Sequence, residues 1–178
     1  WQTQFQYRSK ARKLRLELTH IETPHHLAFA ALSDVLEGTA QIELLELGTK
    51  RTRMQECLIS TGFPFRPGDD FNSYLRMMGE VMQRTAGLRR PGAAALDLAY
   101  VAASRYDGYF EAGVKAWDIA AGVLLVREAG GRVCDFHGAP LAPMHIDTGS
   151  RQIVAANVRI IDPLQKMLVN TGYAKTFD

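Results

Sequence analysis

The sequence predicts an α/β fold in which helices cover the faces of a mixed sheet. Three observations carry this prediction. Short apolar runs typical of strands alternate along the chain with longer segments of helical periodicity. Gly and Pro residues separate many of these segments, as expected of turns and helix ends. The 178 residues are enough for one domain with a sizeable core, or for a piece of a larger domain.

The first fifty residues give the weakest signals. Residues 27–37 are compatible with a short helix, and residues 41–47 fit a helix and a strand equally. Five basic residues between positions 8 and 15 form a basic opening. A solvated surface is its plainer interpretation, with a nucleic-acid arm or a transit-like segment as alternatives. His20, His25 and His26 lie close together, but no carboxylate or thiolate stands at a recognisable ligand spacing, so a metal site is the weaker interpretation there.

From residue 51 onward the elements are predicted more sharply. Residues 57–60 form an apolar run typical of a strand, and it stops at a turn in residues 61–65. Asp69 or Asp70 can cap the next helix, which Gly87 ends. Six residues of that helix are predicted to share one core-facing side: Phe71, Tyr74, Leu75, Met78, Val81 and Met82.

Helices and strands continue to alternate to the end of the chain. Residues 93–104 are alanine-rich and apolar almost all round, which predicts a buried helix, and residues 117–129 return to helical spacing. Asp162 precedes Pro163 as a helix cap would, so the last helix is predicted from there to Asn170. Three further segments are strand candidates: residues 106–111, 132–136 and 152–156.

Composition excludes several classes of protein. With 47% hydrophobic, 22% charged and 9% aromatic residues, the chain is not a disordered tail, a collagen-like repeat or a coiled coil. No apolar run approaches about 18 residues, so no membrane span is expected. The net charge of +2 argues against nucleic acid or acidic lipid as the main partner. Cys57 and Cys134 are too few for a disulfide framework and suit a reducing cytoplasm.

Two carboxylates are the first candidates for chemistry. Glu111 ends a predicted strand and Asp118 begins a predicted helix, and such ends commonly meet at the ligand-binding edge of an α/β sheet. Carboxylates at that edge can hold a hard cation such as Mg²⁺. The plainer interpretations are that Asp118 is a helix cap and that Glu111 is a surface charge.

The segment before the alanine-rich helix is the second candidate. Small residues at 92–95 leave backbone amides accessible to an anion, although close helix packing explains them equally well. Asp97, Arg90 and Arg105 are predicted to form internal ion pairs. None of these signals is specific by itself.

Taken together, three motifs resemble the inositol monophosphatase family. They are Arg-Pro-Gly-Ala-Ala-Ala-Leu-Asp-Leu-Ala-Tyr-Val-Ala at 90–102, Asp-Gly-Tyr-Phe-Glu at 107–111, and Trp-Asp-Ile-Ala-Ala-Gly at 117–122, continued by Glu-Ala-Gly-Gly at 128–131. The Gly-Phe-Pro-Phe turn at 62–65 is similar to the bacterial branch of the family. The resemblance runs from about residue 53 to about residue 170.

The resemblance implies roles for particular residues. Asp118 matches a metal-ligand aspartate that also lies near the substrate hydroxyl, Glu111 matches a carboxylate that contacts the polyol, and Gly92, Ala93 and Ala94 match a segment lining the substrate pocket. The implied chemistry is the hydrolysis of a phosphate monoester by water activated on Mg²⁺, commonly with lithium sensitivity. No residue is assigned a catalytic role.

The sequence also departs from the family pattern. Ala93 stands where the family usually has serine or threonine, and Ala116 stands where it usually has proline. The glutamate-rich and Asp-Pro-x-Asp-Gly-Thr motifs that supply the other metal ligands do not occur in residues 1–50. We therefore interpret residues 1–50 as an unassigned segment, divergent or frameshifted, and residues 51–178 as the C-terminal part of an inositol monophosphatase-like domain. The start at Trp1 rather than Met agrees with a missing beginning.

The resemblance leaves three functions open. The first is a magnesium-dependent phosphatase of a small phosphorylated polyol, most simply inositol monophosphate, which is inactive as this chain. The second is a related phosphatase of a sugar bisphosphate, a nucleotide 3′-phosphate or histidinol phosphate. The third is a non-catalytic module that binds RNA or the transcription machinery, as some bacterial relatives do. A truncated sheet would expose an edge, which predicts homodimerisation or aggregation.

Overall fold

The computed structural model describes residues 2–7, 10–22, 26–32, 37–43, 53–64, 69–141 and 151–172. The chain divides into two compact units, Trp1–Glu46 and Leu47–Asp178, and each has its own sheet. No helix in the described ranges combines the length and apolar character that crossing a bilayer requires.

The first unit is a four-stranded antiparallel sheet in the order β1-β2-β3-β4. Its strands are β1 Gln2–Tyr7, β2 Lys10–Glu22, β3 His26–Leu32 and β4 Glu37–Glu43. The helix predicted for residues 27–37 is therefore wrong. Alanine is the best helix former, but helix propensity is a weak preference that tertiary pairing overrides. Pairing with β2 on one side and β4 on the other satisfies the backbone of β3 as a strand. The side chains of His20, His25 and His26, considered above for a metal site, lie outside the described residues.

The second unit contains a mixed five-stranded sheet in the order β6-β5-β7-β9-β8. Its strands are β5 Leu58–Thr61, β6 Gly87–Arg89, β7 Gly108–Val114, β8 Arg132–Cys134 and β9 Arg151–Ala156. Strands β6, β5 and β7 run parallel, whereas β9 pairs antiparallel with both β7 and β8. Strand β6 was not predicted, because it has only three residues and follows directly on Gly87, which was expected to end a helix.

Four helices flank this sheet, which confirms the predicted fold class. They are α1 Phe71–Arg84, α2 Ala94–Ala102, α3 Ala116–Glu128 and α4 Ile161–Val169. The side chains of β7 are buried on both of its faces, as expected for a strand covered on two sides. Helices α2 and α3 pack closely because α3 has Gly122 there: a Cβ on this residue would lie 2.5 Å from the Leu98 side chain.

The core of the unit lies between the sheet and the pair α1 and α4. Tyr74, Phe110 and Phe136 form its aromatic centre, with ring centroids 6.0 Å apart for Tyr74 and Phe110 and 6.5 Å apart for Phe110 and Phe136. The Tyr74 hydroxyl also shares a 2.8 Å hydrogen bond with the Thr61 hydroxyl at the end of β5. Cys57 and Cys134 are buried free thiols.

The predicted core-facing side of α1 is partly wrong. Its buried residues are Ser73, Tyr74, Met77 and Val81, whereas three of the six predicted core residues are exposed: Phe71 at 51%, Leu75 at 46% and Met82 at 60%. Apolar residues cover two neighbouring stripes of this helix, so periodicity could not choose between them. The helix begins as predicted, because the Asp70 side chain accepts a 3.1 Å hydrogen bond from the Ser73 amide.

The predicted cap of α4 is also wrong. Asp162 lies inside the first turn, where its carboxylate forms an ion pair of 3.0 Å with Arg132. The N-cap residue is Ile160, which makes no side-chain capping bond. The turn before it is held by Asn157, whose side-chain oxygen accepts hydrogen bonds from the Arg159 and Ile160 amides at 2.9 and 3.0 Å.

Candidate functional site

Glu111 lies in the interior of β7, not at its end, and is half-buried. Its carboxylate accepts a 2.6 Å hydrogen bond from the buried Tyr109 hydroxyl. Its oxygens occupy the space that a Cβ on Gly62, the residue after β5, would need, so a larger residue there would have to displace the Glu111 carboxylate. Burial raises the pKa of Glu111, and the charges of Asp97 and Asp118 raise it further, against the Tyr109 hydrogen bond and Arg90. The interpretation of Glu111 as a surface charge is wrong.

Asp118 lies in the first turn of α3, where its carboxylate acts as part of the helix cap. Its Oδ2 accepts a 2.8 Å hydrogen bond from the Lys115 amide, and its negative charge faces the positive end of the helix dipole. The second oxygen, Oδ1, takes no hydrogen bond from the described residues. Asp118 is half-buried, so one carboxylate oxygen stays available to a ligand.

The segment Gly92–Ala94 leads into α2. Gly92 has a φ of 88°, a left-handed conformation that favours glycine, and a Cβ there would lie 2.9 Å from the Arg90 guanidinium. Ala93 is the N-cap residue and has no side chain that could cap the helix. Gly92 and Ala93 are exposed, so the first amides of α2 remain open to an anion, while the close packing of this helix occurs at Leu98.

Asp97 and the two arginines do not form the predicted ion pairs. Asp97 is fully buried, and neither of its carboxylate oxygens has a hydrogen-bond partner among the described residues. Burial raises the pKa of Asp97 to about 6. The Ser60 hydroxyl and the Ala93 amide lower this pKa in part, although neither is aligned as a hydrogen bond to the carboxylate. A sequence signal existed, because Asp97 is the one charged residue in the apolar stretch 93–102.

The arginines stack on aromatic rings instead. The Arg90 guanidinium carbon lies 4.7 Å from the centre of the Phe63 ring, and that of Arg105 lies 5.1 Å from the centre of the Tyr100 ring. Phe63, Tyr109 and Gly62 were not predicted as part of the site. Of these, Gly62 and Phe63 lie in the Gly-Phe-Pro turn that follows β5, and that turn was the one sequence signal that could have indicated them.

Glu111, Asp118 and the Gly92–Ala94 segment belong to one neighbourhood. The charges of Asp118 and Arg90 both act on the Glu111 carboxylate, and a Cβ on Gly92 would lie 2.9 Å from the Arg90 guanidinium. Within the described part of the chain, no three His, Cys, Asp or Glu side chains are grouped so that they could hold a metal ion. Asp118 offers one free oxygen, and a Mg²⁺ site needs more carboxylate ligands than this. The described residues therefore do not fit the complete metal centre that the resemblance implies.

Known proteins similar to this chain include several that are named Nus factor SuhB. The chain is 46% identical over 130 residues to a Nus factor SuhB of Xylella fastidiosa, an alignment that covers 72% of this chain and 47% of that protein. It is 45% identical over 123 residues to Nus factor SuhB of Escherichia coli K12, covering 69% and 43%. The chain thus spans less than half the length of these relatives.

Solved structures of the same kind share the fold. The extragenic suppressor protein suhB of Bartonella henselae is 34% identical with a TM-score of 0.62, and the match covers 80% of this chain and 61% of that one. The inositol monophosphatase of Anabaena is 27% identical with a TM-score of 0.59, covering 82% and 64%.

The profile of the inositol monophosphatase family matches residues 33–171. This match begins earlier than residue 53, where the motifs alone placed the start of the resemblance, and it includes β4. It covers well over half of the chain and contains all three motifs. The chain belongs to the inositol monophosphatase family.

Proposed function

We propose that this chain is the substrate-facing part of a magnesium-dependent phosphatase that hydrolyses a small phosphate monoester, most simply inositol monophosphate. The observation that carries the proposal is the family match over residues 33–171 together with the neighbourhood of Glu111, Asp118 and the Gly92–Ala94 segment. A polyol phosphate needs hydrogen-bond acceptors for its hydroxyls and amide donors for its anionic oxygens. Glu111 and the exposed start of α2 are groups of these two kinds.

Each residue has one assigned role. Asp118 would hold a metal ion with its Oδ1, while Oδ2 remains bonded to the Lys115 amide and fixes the carboxylate. Glu111, held in place by the Tyr109 hydroxyl, accepts a hydrogen bond from a substrate hydroxyl. Gly92, Ala93 and Ala94 line the pocket with backbone amides. The metal, when bound, supplies the activated water and stabilises the charge that develops during hydrolysis.

The chain alone is expected to be inactive. A single carboxylate oxygen cannot assemble a multi-metal centre, and the described residues contain no group of three potential ligands. In this proposal the remaining ligands come from sequence outside the described residues, such as the longer relatives have, and activity belongs to a longer protein containing this segment.

Phosphate release from such a longer protein tests the proposal. With inositol monophosphate and Mg²⁺ we expect turnover that Asp118→Asn abolishes, because the amide can keep the cap but is a poor metal ligand. Asp162→Asn is the matched control: it removes one exposed carboxylate of the same unit and should leave turnover unchanged. If Asp118→Asn kept full activity, the assigned role would be wrong. Assays of a sugar bisphosphate, a nucleotide 3′-phosphate and histidinol phosphate would identify a different substrate of the same site.

A second candidate function is non-catalytic binding of RNA or the transcription machinery. The observation that favours it is the name Nus factor SuhB, which the relatives at 45–46% identity carry. A pull-down of RNA or polymerase that is salt-sensitive and survives Asp118→Asn would support this function, because it would separate binding from the metal site.

A further inference from the structure

We propose that one surface of the second unit binds single-stranded RNA. This inference rests on the second candidate function and names the surface responsible for it. The surface, which we call the arginine–tyrosine patch, is made up of Phe63, Arg89, Arg90, Tyr100, Arg105 and Tyr106.

The patch places guanidinium groups on aromatic rings. Arg105 stacks on Tyr100 at 5.1 Å, and the Tyr100 ring meets the Tyr106 ring edge-on, with centroids 5.3 Å apart and planes at 80°. Arg90 stacks on Phe63 at 4.7 Å. A guanidinium held over a ring loses less freedom on binding, and its N–H groups can still bind the oxygens of a phosphate.

The positive charge of the patch is not neutralised by neighbouring carboxylates. Arg89, Arg90 and Arg105 are exposed, and none forms an ion pair with a carboxylate of the described residues. Arg90 lies near Glu111 and Asp97 without pairing with either, and Asp97 is fully buried. Elsewhere in the unit the exposed arginines Arg84 and Arg132 do pair with acids, at 2.6 and 3.0 Å.

The end of α2 builds one half of the patch. Ser104 follows the helix with a φ of 55°, the left-handed conformation that commonly ends an α-helix, and it is the one non-glycine residue with positive φ in the described ranges. This helix end lets the Arg105 and Tyr106 amides both donate to the Tyr100 carbonyl, at 2.8 and 3.2 Å. The chain thus folds back so that both side chains meet the Tyr100 ring.

The combination of guanidiniums and aromatic rings favours single-stranded RNA as the partner. Several unpaired guanidiniums in one area match successive phosphates, and ring faces and edges match unstacked bases. An acidic peptide or a polyphosphate would use the charges but not the rings. The net charge of +2 for the whole chain does not oppose this, because the charge that acts on a strand is the local one.

Binding of a fluorescein-labelled oligouridine RNA to the full chain, measured by fluorescence anisotropy, tests the proposal. The patch variant R89S/R90S/R105S is compared with the control variant R84S/R132S/R159S, which removes the same charge from exposed arginines elsewhere. We expect the patch variant to bind at least about tenfold more weakly near 50 mM salt, and the control to stay close to the unaltered chain. The slope of log affinity against log salt should fall by about 2 in the patch variant alone, since each lost phosphate contact removes about 0.7.

Cross-linking provides a second measurement that needs no variant. RNA carrying 4-thiouridine should cross-link on irradiation to peptides that contain Phe63, Tyr100 or Tyr106. Equal loss of affinity in the two triple variants, cross-links confined to other peptides, or competition by inorganic polyphosphate as effective as that by unlabelled RNA would each overturn the patch as the RNA surface while leaving RNA binding itself intact. No binding of RNA by the unaltered chain would overturn both the patch and RNA binding as the second candidate function.

Discussion

The first turns of α2 and α3 each contain an aspartate, and the two residues have opposite environments. Asp118 of α3 is half-buried and bonded to the Lys115 amide, whereas Asp97 of α2 is fully buried and has no hydrogen-bond partner in the described structure. Helix position alone would stabilise a negative charge at both places. The difference shows that burial outweighs the helix dipole at Asp97. A negative charge is therefore unfavourable at Asp97, whereas at Asp118 the Lys115 amide and the helix start stabilise it.

Glu111 connects the two aspartates. The charges of both raise its pKa after the larger effect of burial, and Tyr109 and Arg90 oppose them. The carboxylates of this neighbourhood therefore have few hydrogen-bonding or positively charged partners among the described residues. Such a region favours the binding of a cation together with the substrate, which agrees with the proposed function.

Replacing the buried aspartate should have the largest effect. Burial raises the pKa of Asp97 from its ordinary value of 3.8 to about 6 in the folded chain, a difference equivalent to about 3 kcal/mol at pH 7. Asp97→Asn should raise the free energy of unfolding at pH 7 by up to that amount, measured by urea denaturation, because the buried charge is removed. Loss of stability at pH 7 would show that the ionised carboxylate has partners that stabilise it.

The same residue predicts a pH dependence. Between about pH 4 and pH 6 the unfolded chain has lost the Asp97 proton while the folded chain retains it, so stability should fall as the pH rises through this window. The fall should become smaller in Asp97→Asn, where the raised pKa of Glu111 still contributes, and it should be unchanged in Asp162→Asn, which alters an exposed carboxylate. Urea titrations at several pH values provide the measurement, and an unchanged profile in Asp97→Asn would contradict the assignment.

Adding a methyl group beside Glu111 should have an intermediate effect. A Cβ at Gly62 would occupy the position of the Glu111 carboxylate, so Gly62→Ala should destabilise the chain by about 1–3 kcal/mol. The double variant Gly62→Ala/Glu111→Ala should recover much of this loss, which a double-mutant cycle measures. Additive effects of the two substitutions would mean that the carboxylate does not lie against Gly62.

Removing the cap of α3 should have the smallest effect. Asp118→Ala deletes the hydrogen bond to the Lys115 amide and the charge at the helix start, and we expect a loss of about 1 kcal/mol in thermal or urea unfolding. Asp162→Ala is the matched control. Asp135→Ala is unsuitable, because the Asp135 carboxylate accepts hydrogen bonds from two amides of its own turn. If Asp118→Ala stabilised the chain, the negative charge of Asp118 would be unfavourable, as that of Asp97 is.

Sequence reasoning predicted the long elements better than their contacts. Helices α2 and α3 were predicted to within a few residues, because their apolar patterns and glycine ends are strong. The short edge strand β6 and the strand β3 were missed, since three residues carry little pattern and the pairing that makes an alanine-rich segment a strand is not local. The inward side of α1 was misjudged for a related reason, because the Tyr74 contacts that turn it inward come from other parts of the fold.

At the candidate site, residue types were easier to predict than partners. The motifs singled out Glu111 and Asp118 and the segment Gly92–Ala94. The motifs did not reveal that Asp97 forms no ion pair with Arg90, because an ion pair depends on the distance between two side chains that the fold sets. Tyr109 and Gly62, which hold the Glu111 carboxylate from two sides, become recognisable only when β5 and β7 are seen side by side.

Calorimetric titration of this chain with Mg²⁺, in parallel with Asp118→Asn and with an inositol monophosphate phosphate-release assay, tests the central claim most directly. The claim is that the chain keeps the substrate-facing part of the family's site and one metal-ligand oxygen. It predicts weak or undetectable Mg²⁺ binding and no phosphate release. Tight Mg²⁺ binding with turnover, both lost in Asp118→Asn, would contradict it and would mean that this chain itself assembles a complete metal centre.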